Sequence, residues 1–331
     1  MRPLTGGQWA TMAHLRLAGQ PDGIPNNVVL RVAPDAAMGA KELAAQAAAS
    51  DAGIVTPRVH LMGEAGSPLV GAWSIMDLAP GEPLIADLDG TAAIRRLPSL
   101  LRQLPRRLAD TMAAIHRIDP QPVTERIRTA APTVALTVDE LWTRLHAASD
   151  ALACDALTCA LERLHETQPP QDGGVLCHGD LHPLNLLIDD NTVTVLDWTA
   201  TAVAPPAYDV AFTWLLLRHP PLVAPARLRP AIGAGAAVLA RRFVRCYREV
   251  APTADLSDID WYAGLHAARV LIDLASWQHT GDPRAERHPW RLVAAGAVKA
   301  LGRASGMTDP EGNEFCVCDS GAAKDGPATE T

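Results

Sequence analysis

Residues Val175–Trp198, VLCHGDLHPLNLLIDDNTVTVLDW, carry His178-Gly179-Asp180, an Asn five residues after that Asp (Asn185) and a second Asp (Asp197) around an apolar hairpin. Val175–Cys177 and Leu186–Ile188 are apolar runs. The intervening HGDLHPLN is polar and contains Pro, so it reads as a loop that presents Asp180 and Asn185 together. A turn over Asp189–Thr192 leads to a strand over Val193–Leu196, which delivers Asp197. A carboxylate at Asp180 can accept a proton from a hydroxyl. Asn185 and Asp197 offer oxygen atoms of the kind that hard Mg²⁺ prefers. The plain alternative is an Asx turn at Asp180 and Asn185 with a strand-end cap at Asp197.

Upstream, Pro3–Leu17 reads as two strands around a Gly-Gly turn, Gln20–Asn27 as a loop and Val28–Val32 as a strand. Ala36–Ala52 reads as a helix stopped at Gly53, followed by strands at Pro57–Met62 and Gly71–Leu78 and by Ala-Pro-Gly at 79–81. From Ala92 the apolar spacing becomes helical over Ala92–Ile118, Val138–Glu166, Ala226–Val250, Ser257–Gln278 and Trp290–Ala304. The expected organisation is an α+β chain with a small sheet-based lobe over 1–79, a larger, mainly helical lobe over 80–306 and a disordered tail over 307–331.

The chain has 331 residues, enough for two domains or lobes at about 100–200 residues each. Its net charge of −8 argues against broad binding to nucleic acid or anionic membrane, both of which need a surplus of Lys and Arg. A cationic or neutral small substrate is easier to accommodate than a polyanion. Lys41, Lys299 and Lys324 are the only lysines, so nearly all positive charge is Arg. The six cysteines lack the spacing of a paired metal motif or a disulfide scaffold and read as reduced thiols. Cys316 and Cys318 in the tail are a minor metal-binding candidate. With no apolar signal region and no membrane-length apolar run, a cytoplasmic location is expected.

Asp-x-x-x-x-Asn followed by a strand-borne Asp is the pattern that kinases use for phosphoryl transfer. Over about residues 4–304 the chain resembles the aminoglycoside phosphotransferase family, small-molecule kinases with the protein-kinase fold. His178, Gly179, Asp180 and Asn185 match its H-G-D-x-x-x-x-N loop. Asp197 and Trp198 match its D-W, Asp209 in PPAYDVA is similar to a following acidic position, and Leu108–His116 is similar to a helix signature ending in A-x-x-H.

The resemblance implies a two-lobed protein-kinase-like fold that binds ATP and Mg²⁺ and phosphorylates a hydroxylated small molecule. Asp180 would be the catalytic base, with Asn185 and Asp197 as metal ligands and Trp198 packed beneath them. His178 would be structural, His182 is ambiguous, and Asp209 would be a loop-fixing acceptor or a helix N-cap. The MDLAPGEPL run at 76–84 resembles the hinge whose main chain receives adenine, which implicates Asp77 and Ala79. Arg31, with Glu42 as partner, stands where kinases carry a phosphate-holding Lys. Lys41 is the other cation there and reads as a solvated helix residue. Gly6 and Gly7 would cover the phosphates.

The acceptor side is less marked. Asp255, Asp258, Asp260 and Asp273 are candidates to line a pocket for a cationic acceptor, although the first three also read as a capped helix start. Trp261, Tyr262 and Trp277 read as core more than as stacking platforms. The alternatives are an aminoglycoside or macrolide antibiotic-resistance kinase and a pseudokinase-like nucleotide-binding module. Oligomeric state is left open.

Overall fold

The computed structural model describes residues 2–4, 10–19, 23–63, 69, 71–83, 85 and 90–307. Gly6, Gly7 and residues 308–331, with Cys316 and Cys318, lie outside the described residues.

The N-terminal part is built on a sheet of β1 (Arg2–Pro3), β2 (Thr11–Arg16), β3 (Asn27–Ala33), β4 (Val59–Gly63) and β5 (Ala72–Asp77), interrupted by helix α1 (Ala36–Asp51) after β3. The five strands are antiparallel in the order β1-β2-β3-β5-β4. Side chains alternate between the faces of a strand, so Val29, Arg31 and Ala33 share one face of β3, and all three are buried. Asp35 caps α1 by accepting from the Met38 main-chain N–H at 2.9 Å. Gly39 lets the helix approach the sheet closely, since an added Cβ would lie 2.9 Å from the Ala33 methyl.

The linker after β5 turns at Gly81, where φ is +93° and an added Cβ would collide with the Ile188 carbonyl. It continues as β6 (Glu82–Pro83), which pairs with β8 (Leu186–Asp189); β7 (Val175–Cys177) precedes β8, and β9 (Thr192–Val195) completes the hairpin. Gly81→Ala combines a strained φ with a backbone collision and should cost about 1–3 kcal/mol. Gly281→Ala has a similarly positive φ but nothing within 4 Å, so it should cost less. Urea denaturation of both variants checks this, and equal costs would remove the packing argument for Gly81.

The C-terminal part is helical: α2 (Gly90–His116), α3 (Pro120–Ala130), α4 (Val138–Ala151), α5 (Asp155–Glu166), α6 (Pro206–Arg218), α7 (Arg229–Val250), α8 (Ile259–Thr280), α9 (Arg284–Arg287) and α10 (Trp290–Ser305). Leu104, Leu108, Met112 and Ile115 recur at helical spacing on α2 and are fully buried, in the part of the fold where α2 packs on α7. Helix α8 is buried on every side from Trp261 to Ile272 and is surrounded by α4, α5, α6 and α10. Trp261 and Tyr262 are thereby core residues. No helix among the described residues is long and apolar enough to cross a membrane. Among the described residues Cys154, Cys159, Cys177 and Cys246 form no disulfide.

Three expectations are corrected. The pattern over 138–166 is two helices, broken where Ala153 takes φ +50° and Cys154 stands at the N-cap position of α5. Helices α3 and α6 were not anticipated, although Pro at the first helical position marks both. Lys41 is not solvated: it is buried, and its Nζ donates to the Ala135 carbonyl at 2.8 Å. Burial, with Arg144, Arg269 and Arg128 nearby, lowers its pKa to about 7.

Candidate active site

The loop after β7 is held from behind by one carboxylate. Asp209, on the first turn of α6, accepts from the main-chain N–H groups of His178 (Oδ2, 2.8 Å) and Gly179 (Oδ1, 2.7 Å). Its Oδ2 also meets His116 Nε2 at 3.1 Å, and His116 Nδ1 meets the Tyr247 hydroxyl at 2.7 Å. The α6 N-cap is Pro205, so Asp209 is a loop-fixing acceptor and not a cap. Gly179 has φ +76°, and an added Cβ would collide with the Ala200 carbonyl, so only Gly fits there. The buried His178 ring meets the Leu196 carbonyl through Nε2 at 3.0 Å and lies 4.9 Å from the Trp198 ring. Burial lowers its pKa, which suits a neutral, structural imidazole.

Asp180 emerges from this support with about a quarter of its side chain exposed (26%). Asn185, in the 3₁₀ turn Pro183–Asn185, donates its amide to the Asp180 carbonyl at 2.9 Å and to Oδ2 at 3.4 Å. His182 caps that turn through Nδ1, and its Nε2 lies 3.7 Å from Asp180 Oδ2. Burial raises the Asp180 pKa; His182, Arg269 and His178 oppose the rise, and Asp197 adds to it. A carboxylate made more basic in this way is suited to accept a proton.

Asp197 follows β9 in the left-handed region, φ +59°, uncommon for a residue with a side chain. Its Oδ1 accepts from the Thr199 hydroxyl at 2.5 Å and lies 3.7 Å from Arg31 Nη2. Burial works against ionisation, but Arg31 and Thr199 outweigh it and lower the pKa. Among the described residues neither Asp197 Oδ2 nor Asn185 Oδ1 accepts a hydrogen bond. Two hard oxygen donors without other partners are a set that Mg²⁺ can use. Arg31 Nη2 also pairs with Glu42 Oε2 at 2.7 Å, and among the described residues the buried Arg31 Nε has no partner. Burial pushes the Glu42 carboxyl up, against the pull of Arg31.

The phosphotransferase enzyme family model matches residues 2–252. The chain belongs to that family. Searched against curated proteins, it finds no match. Its fold is that of solved aminoglycoside phosphotransferases. A candidate aminoglycoside phosphotransferase from Ralstonia eutropha JMP134 superposes with a TM-score of 0.61 at 16% identity, covering 92% of this chain and 91% of that one. A thermostable APH(4)-Ia mutant in ternary complex with AMP-PNP and hygromycin B gives 0.54 at 16% identity, covering 89% and 92%. The GDP and kanamycin complex of an APH(2") enzyme gives 0.54 at 17%, covering 92% of each chain.

In this phosphotransferase-family chain Asp77 ends β5, and its side chain is tied to His60 at 2.7 Å and to the Arg58 N–H at 3.1 Å. Its own N–H donates to the Arg58 carbonyl at 3.0 Å, and the Ala79 N–H has no main-chain acceptor among the described residues. Trp198 is fully buried and donates to Thr56 at 3.1 Å, joining the segment after β9 to the N-terminal part. Thr199, His116 and Arg269 were not singled out from the sequence as chemical participants. His116 closes the matched A-x-x-H signature; Thr199 and Arg269 have no comparable signal. His116, Cys177 and Asp209 offer ligand atoms within 4.8 Å of one another, but the His and Asp atoms are already hydrogen-bonded and burial holds the thiol protonated. An open cavity of 540 Å³ lined by Trp214, Arg241, Arg248, Glu249, Ile259 and the candidate Asp260 shares no residue with this loop.

Proposed function

We propose that the protein transfers the γ-phosphoryl group of ATP to a hydroxyl of a small molecule. The observation that carries this reading is the convergence of Asp180, Asn185 and the left-handed Asp197 opposite the Arg31–Glu42 pair. In the proposed reaction the acceptor oxygen bonds to the γ-phosphorus, the bond to the β-phosphate oxygen breaks, Asp180 takes the hydroxyl proton, and ADP leaves. Mg²⁺ on Asn185 and Asp197 would offset phosphate charge. Arg31, braced by Glu42, would meet phosphate oxygens, and the main chain at Asp77 and Ala79 would meet adenine. Gly6 and Gly7 keep their suggested phosphate-covering role. The nucleotide and acceptor lobes are taken to divide at 79/80, and a cytoplasmic location suits a consumer of ATP.

A polycationic acceptor is the second reading. Asp255, Asp258 and Asp260 do not reinforce Asp273, because Asp258 and Asp273 lie about 22 Å apart along α8. Asp255 also accepts from the Ser257 N–H at 2.8 Å, as a helix-start turn requires. The intact Arg31–Glu42 pair favours an active enzyme over a pseudokinase-like module.

Mg²⁺ and ATP together are expected to raise the melting temperature more than either alone, by about 2.7 kcal/mol of stabilisation at 100 times Kd. Asp197→Ala should remove the Mg²⁺-dependent increment. No thermal response of the wild type to Mg²⁺ with ATP would overturn the reading.

A further inference from the structure

Arg269 sits in the middle of buried α8 and is 6% exposed. Its Nη1 and Nη2 both donate to the Gly179 carbonyl at 3.4 Å. Its guanidinium lies 4.6 Å from the Phe212 ring centroid and 5.7 Å from that of Trp290, and among the described residues its Nε has no partner. Among the described residues no carboxylate comes within ion-pair distance of it. A buried cation without a paired carboxylate costs several kcal/mol, and an orphaned N–H adds to that cost. Ring faces and one carbonyl dipole compensate only in part. Packing alone would be met by Met or Leu, so the charge itself calls for a reason.

The reason lies in what Arg269 holds. Gly179 donates its N–H to the Asp209 carboxylate and offers its C=O to Arg269, so opposite charges grip the two ends of one residue. The peptide gripped on the Arg269 side is the one that leads into Asp180. The charged and titratable groups around the pair are His178, His182 and Asp197 beside Asp180, and Lys41, Arg144, His266 and Asp273 beside Arg269.

We propose that Arg269 is a positioning residue that fixes the Gly179–Asp180 peptide and thereby sets the Asp180 carboxylate against the acceptor hydroxyl. This rests on the phosphotransferase reading above. Misplacement of a catalytic group by about 1 Å can cost 10²-fold in rate.

The test uses the full chain with Mg²⁺ and ATP, water serving as acceptor, and compares Arg269→Met with Arg269→Lys. The Met variant should keep its thermal response to Mg²⁺ with ATP and its KM for ATP within about twofold, while kcat falls about 10–100-fold. The Lys variant, which retains charge and a donor, should recover much of that loss. Hydrogen exchange over 178–185 should be faster in the Met variant while the rest of the molecule is unchanged, a readout that needs no turnover. In an Asp180→Asn background, Arg269→Met should lower residual turnover no further, because both changes remove the same function. Equal fold-losses in both backgrounds, or unchanged exchange over 178–185, would overturn the proposal. If Arg269→Met does not fold, Arg269→Gln takes its place with the same expectations. A wild type that shows no response to Mg²⁺ with ATP overturns the phosphotransferase reading instead, a failure visible before any Arg269 variant is made.

Discussion

Asp180→Asn is expected to lower kcat by about 10²–10⁴-fold, the range for loss of a positioned general base. The substitution keeps shape and keeps an oxygen for the Asn185 amide, so the loop geometry has no cause to change. It removes only the capacity to take a proton. Because burial already disfavours the charged carboxylate, relief of that desolvation should leave the neutral amide no less stable. Mg²⁺ with ATP should still raise the melting temperature, since Asn185, Asp197 and Arg31 are untouched. Steady-state kinetics beside a thermal-shift titration checks both halves. Retained turnover in a folded Asp180→Asn protein would rule out Asp180 as the proton acceptor.

Asp209→Ala is expected to destabilise the protein by about 3–5 kcal/mol, the cost of breaking a buried charged network by removing one partner. It leaves the main-chain N–H groups of His178 and Gly179 and the ring of His116 without their acceptor in a site with no exposure. The loop that carries Asp180 would lose its support, so activity should fall with stability. Burial raises the Asp209 pKa, but hydrogen bonds from His116 and Gly179, with His116 and His178 nearby, lower it below the ordinary value of 3.8. A depressed carboxyl contributes fully above the unfolded pKa and loses its contribution as pH falls through the folded one. The stability gap between wild type and variant should therefore hold from about pH 5 upward and narrow below about pH 4. Urea denaturation across that range is the check, and a gap that widened in acid would refute the account.

The two predictions rest on residues of different legibility. Asp180 was readable because its partner Asn185 lies in the same loop and the hairpin that follows has strand periodicity. Asp209 reads from the sequence only through the family resemblance, as a loop-fixing acceptor or a helix N-cap with no partner named. What it grips, His116, is 93 residues away and meets it because α2 and α6 both pack against β7. Helices α3 and α6 escaped notice despite their leading prolines. In α6 the buried face extends almost all round, so no amphipathic stripe marks the helix.

The sequence by itself determined the loop and hairpin of Val175–Trp198 and the change from strand to helix periodicity after the first lobe, because both are set by neighbours a few residues apart. Tertiary structure decided which charges are buried and what they face. Arg31 meets Thr199 across 168 residues, Arg269 meets Gly179 across 90, and Lys41 reaches Ala135 across 94. A basic residue on a helix reads locally as solvated; whether it stays in water depends on which distant segment packs over it. Burial is a property of the packed chain, and these arginines and this lysine acquire their electrostatic character only there.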